Sequence, residues 1–234
     1  MVKFMRIEVL LFQFTVPIWI TSGFIFYKYT RSKYLSIPAF LFAFIPVMSA
    51  LSYIFHQLES FMAAAIFTIL AASFSWIGEL ILFCYIMSQL GLKGVKSRYA
   101  GIAALAPVIA TWILFSILLS AGIKAGSESI LMIEGFAYGM PVSLAFLIFA
   151  ASTRLVSERA QGAFFWRLIN LWSLFMVLML STIVIAHILV LHYAMSEFVF
   201  LAATAVLLAY TTSLLYMYSS FEYKKIIEII QSVL

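Results

Sequence analysis

Long apolar runs alternate with short polar breaks along the whole chain. The runs cover residues 8–28, 35–55, 61–89, 99–122, 130–152, 168–191 and 198–219. The breaks between them read YTRSKY, HQLES, GLKGVKSR, KAGSES, TRLVSERAQG and HYAMSE. A helix rising about 1.5 Å per residue needs about 20 apolar residues to cross a bilayer core, so each run is predicted to form one transmembrane helix. Helices satisfy their backbone polar groups internally, as a membrane span must. The predicted fold is an all-α integral membrane protein, a seven-transmembrane-helix bundle over residues 1–220 followed by a short tail, 221–234. None of the breaks is long enough to hold a soluble domain, and the first run is read as a retained span rather than a cleaved signal.

Composition strengthens this picture. Of the 234 residues 65% are hydrophobic and 10% charged, with a mean hydropathy of +1.13; soluble domains average about 45–50% apolar and about 25% charged. A soluble fold is excluded. The net charge of +5 does not point to nucleic acid, because no basic stripe interleaves with aromatics on a polar face. It points to topology. Lys28, Arg31, Lys33, Lys93, Lys96, Arg98, Arg154, Arg159, Arg167, Lys224 and Lys225 fall on one side of the predicted bundle, and only Lys3, Arg6 and Lys124 on the other. By the positive-inside rule the N-terminus lies outside, the C-terminus is cytoplasmic, and the protein is a multi-pass component of the cell membrane.

The tail FEYKKIIEIIQSVL sets Ile226, Ile227, Ile229 and Ile230 beside charged neighbours. It reads as an amphipathic helix that rests on anionic lipid or docks a cytoplasmic protein through Phe221–Leu234. A parallel repeat of three-plus-one-plus-three helices is a further reading. Pro17 precedes Thr30-Arg31 as Pro141 precedes Thr153-Arg154, and His56 precedes Glu59-Ser60-Phe61 as His192 precedes Ser196-Glu197-Phe198. Pro17, Pro46, Pro107 and Pro141 lie inside spans, where neighbouring helices must re-satisfy the backbone. Gly135 and Gly139, four apart, form a small-residue pair suited to close helix–helix packing.

Candidate chemistry rests on a few ionisable residues inside the spans, where charge is costly and must face protein or water. Glu79 sits in the third run, with Arg167 and Asn170 near the inner end of the sixth as candidate partners. Glu134 and His187 are placed at similar depth on consecutive helices and are predicted to pair, in a cluster with His56 that takes a proton or a small ligand. For His56, Glu59, His192 and Glu197 ordinary interfacial placement is a sufficient explanation. For Glu79 a proton or substrate role and a structural hydrogen bond locking helices three and six are equal readings. His187 and His192 are five apart, not the four of a helical zinc pair, and no metal site is assigned. Cys84, the sole cysteine, allows no intramolecular disulfide.

The layout resembles that of retinal proteins in topology only. The seventh run, FVFLAATAVLLAYTTSLLYMYSS, has no lysine, so a retinal Schiff base there is excluded. No phosphate-binding loop, GxSxG elbow or Gly-Asp protease pair occurs, and the chain is read as non-enzymatic. The expected function is sensory or receptor-like: a small ligand or proton bound from the outer side, with the signal passed through helix seven to a separate partner. The rivals are a small-solute or proton-coupled transporter, and a membrane-anchor subunit of a larger complex, with haem held through His187.

Overall fold

The computed structural model of the chain describes residues 13, 15–30, 33–90, 97–124 and 128–158, with nine further helical positions between 169 and 184. Five helices follow in order: α1 (Thr15–Thr30), α2 (Lys33–Gln57), α3 (Phe61–Gln89), α4 (Ser97–Ser120) and α5 (Glu128–Glu158). No strand occurs among the described residues. Three segments are long and apolar enough to cross a membrane: Lys33–Gln57, Phe61–Gln89 and Met132–Ser157. Leu105–Ser120 of α4 is apolar but shorter. The seventh run, the tail at 221–234 and the second half of the three-plus-one-plus-three repeat lie outside the described residues, as does the start of the first run.

α5 continues past the expected end at 152 to Glu158, through the polar stretch STRLVSE. Its hydroxyls bond back to the helix: Ser152 and Thr153 donate to the Phe149 carbonyl at 3.0 and 2.8 Å, and Ser157 to the Arg154 carbonyl at 2.8 Å. The same back-bonding occurs beside two prolines, where Thr21 donates to the Pro17 carbonyl and Thr111 to the Pro107 carbonyl, each four residues back. The Pro46 carbonyl accepts a bond from outside its helix, from Gln13 Nε2 at 2.8 Å.

α2 and α3 form a tight antiparallel hairpin. The backbone N–H of Ser60 reaches the Phe55 carbonyl and that of Glu59 the His56 carbonyl, the two bonds of a Schellman cap. The residue turned left-handed is Glu59, at φ 58°. The cap after α4 repeats the pattern with Gly122 at φ 79°, a position glycine occupies freely. A side-chain-bearing residue there carries about 1–2 kcal/mol of strain, so Glu59→Gly is expected to raise the stability of the folded protein by about 0.5–1 kcal/mol once glycine's extra chain entropy is subtracted. Reversible unfolding in mixed detergent–SDS micelles measures this; a loss of stability would mean that the Glu59 side chain holds the turn.

Facing pairs step along the hairpin from the turn: Phe55 on Phe67 with ring centroids at 5.3 Å, Ser52 bonded to Thr68 at 2.8 Å, Phe44 on Phe74 at 5.1 Å and Tyr34 on Tyr85 at 6.4 Å. Between the last two, Phe42 covers Gly78. A Cβ added at Gly78 would stand 2.6 Å from the Phe42 ring, so only glycine lets the helices approach this closely. α1 packs on the other side of α2, with Trp19 edge-on to Phe42 at 5.1 Å and Gly23 under Phe40. α3 is the central element, touching α2, α4 and α5. The outer faces of α4 and α5 expose Leu105, Ile109, Ile113, Ile117, Met132 and Phe136, apolar surface compatible with lipid.

Candidate functional site

Two groups of ionisable residues sit in the described bundle, both anchored on the α2–α3 hairpin. The first is at the turn. His56 lies in the last turn of α2, held by the Schellman cap that uses its own carbonyl, and its ring stands edge-on to Phe61 at 5.3 Å. Glu134 of α5 is 5% exposed and acts electrostatically on both His56 and Tyr138. Tyr138 is buried one helical turn further along α5, on the same face. α3 stands between α2 and α5 and packs against both, so His56 and Glu134 lie on the two helices that flank it. An imidazole and a carboxylate held in low dielectric interact far more strongly than they would in water.

The predicted partner of Glu134, His187, lies outside the described residues, as do His192, Glu197 and Arg167. Among the described residues Glu134 acts electrostatically on His56, the other member of the expected cluster, and on Tyr138. Sequence reasoning missed Tyr138; its spacing of four from Glu134 was the available signal.

The second group is Glu79, fully buried on α3. Its Oε1 accepts a hydrogen bond from Ser75 Oγ at 2.9 Å, while Oε2 accepts none among the described residues. The expected contact with Asn170 is corrected. Asn170 Nδ2 donates to the Phe149 carbonyl, Ser152 Oγ and Thr153 Oγ1 at 3.0, 3.1 and 2.6 Å, which ties its segment to α5. The carbonyl and hydroxyls at that end of α5 already form a cluster of acceptors, and the amide goes to them.

Of the small-residue pair, Gly135 is buried, and a Cβ at Gly139 would meet nothing within 4 Å among the described residues. Close approaches among the described residues are at Gly23 and Gly78. Small-residue spacing identifies a face that permits approach, and the neighbouring helix decides whether it is used. Among the described residues no group of three or more His, Cys, Asp or Glu side chains is placed to hold a metal ion, and Cys84 is a partly buried free thiol. No protein-family model, curated protein or solved structure matches the chain.

Proposed function

We propose that the chain is a multi-pass, seven-span membrane protein of sensory type, with its N-terminus outside and the Glu59 turn on the outer side. A proton or a small polar ligand binds at His56, Glu134 and Tyr138, and the response passes through the bundle to a separate cytoplasmic partner. The observation that carries this is the burial of Glu134 within electrostatic reach of His56. As the outer medium acidifies, His56 takes a proton, and its positive charge draws the end of α2 toward the carboxylate on α5. Glu134 is the acid on α5 that acts on His56, and Glu59 is the acid in its own turn. The signs of the charges fix the direction of the response: contraction at low outer pH and release at high.

A second reading, proton-coupled transport, is favoured by Glu79, a carboxyl sealed in the core of the same hairpin. One experiment separates the two. Purified protein in liposomes under an imposed pH gradient is followed by internal pH and by tryptophan fluorescence, since Trp112 packs beside Ile130 and Ile133 on the Glu134 helix. The expected result is no net proton flux, with a pH-dependent fluorescence change that Glu134→Gln removes. Flux that Glu134→Gln abolishes would overturn the sensory reading in favour of transport.

A further inference from the structure

The α2–α3 seam carries a line of hydroxyls that ends on a carboxyl. On α3, Thr68, Ser75 and Glu79 are spaced seven and four apart and share one face; on α2, Ser49, Ser52 and His56 share another. The Ser52–Thr68 hydrogen bond sets these faces against each other. Because the helices are antiparallel, Ser49 falls between the levels of Thr68 and Ser75. The axial offsets along the seam are then about 4.5–6 Å at 1.5 Å per residue, and a path along it takes one bridging water at each.

The line is polar in one direction only. Beyond Glu79 the buried residues on this side of α3 are Leu82 and Ile86, and Phe42 closes the flank over Gly78. Glu79 is where the hydroxyls stop. Its Oε2, fully buried, accepts no hydrogen bond among the described residues, and Ser75 is the side chain that bonds the carboxyl there. A metal ion does not fit what the described residues supply, since calcium and magnesium take six or more oxygen ligands and among those residues Ser75 Oγ is the one other oxygen bonded to the carboxyl. The occupant that needs a single oxygen is a proton.

We infer that the seam is a one-sided proton path with Glu79 as its terminal acceptor, so that the protein reads the acidity at the Glu59 turn inside its own core. The step is proton transfer alone. The O–H bond of Ser75 breaks as one forms at Oε1 of Glu79, to which it already donates, each oxygen further along the line passes one proton and receives another, and the carboxylate charge is neutralised. The inference rests on the membrane-spanning topology proposed above and does not depend on Glu134.

A hydrophobic carbodiimide, which adds to protonated carboxyls in apolar surroundings, tests it in sealed vesicles of one orientation. Peptide mass spectrometry is expected to find the label on Glu79, with a rate that rises as the pH on the Glu59 side falls and ignores the pH on the other side. Glu79→Gln removes that labelled peptide. Thr68→Val, which breaks the line while keeping the side-chain shape, is expected to slow hydrogen–deuterium exchange of the Glu79 carboxyl, read by its infrared carbonyl stretch, about tenfold, and Thr68→Ser restores it. Labelling that follows the opposite compartment, or neither, would overturn the inference, as would an exchange rate unchanged in Thr68→Val. Failure of the sensory reading is distinguishable, because it shows as Glu134-dependent flux while Glu79 labelling still follows the Glu59 side.

Discussion

Gly78→Val is expected to destabilise the folded bundle by about 1–3 kcal/mol. The valine Cβ would enter a space in which the Phe42 ring already stands 2.6 Å away, and the ring has little room to yield. Phe42 is 3% exposed and is backed edge-on by Trp19 of α1. Relief therefore requires α2 and α3 to separate, which loosens the Ser52–Thr68 bond and the stacked phenylalanines on either side. Overpacking is a strain within the folded state, so the surrounding lipid does not soften it. Unfolding in mixed micelles should show the loss, and a wild-type midpoint in Gly78→Val would mean that Phe42 is free to turn away.

Phe42→Ala is expected to cost about 2–3 kcal/mol, less than the 3–5 kcal/mol usual for a soluble core. In water the penalty combines lost transfer energy with a cavity. In a bilayer the lipid is as apolar as the interior, so the transfer part largely disappears and lost packing remains. The cavity would open where α1, α2 and α3 meet, beneath Trp19. The two substitutions share one contact and should not add: in the Phe42→Ala background Gly78→Val should cost at least about 1 kcal/mol less than alone, a coupling within the range for touching residues. Additive losses would show that the glycine and the ring act independently.

Both ends of α3 are legible in the sequence, and the partners of the helices are not. Phe61–Gln89 matches the apolar run from which it is read, because an apolar run bounded by HQLES and GLKGVKSR leaves the backbone no alternative to a helix in lipid. α5 outruns its apolar segment through STRLVSE, where Ser152, Thr153 and Ser157 bond back to carbonyls of their own helix, a feature that hydropathy does not register. Gly78 is recognisable as crowded from its place beside Glu79 in an apolar run, whereas Gly139 has the right spacing and no neighbour within 4 Å among the described residues. Glu79 is legible as a buried acid, but its partner Ser75 lies on its own helix and the Asn170 amide is claimed by α5. Which helix faces which is a property of three-dimensional packing: the positions of Glu134 and His56 in their runs group them on the outer side, but a single sequence carries no signal that α3 is the helix between them.

The bond from Ser75 to Glu79 also bears on how the chain enters a membrane during synthesis. Its two ends lie four residues apart on one helix, so the carboxyl travels with half of its hydrogen bonding already made. α3 can leave the translocation machinery as part of a hairpin with α2, before α4 and α5 have been made. Asn170 differs, since its bonds join two helices, and its segment becomes satisfied only on meeting α5. The costliest acid of the core is thus the one least dependent on the order in which the helices arrive.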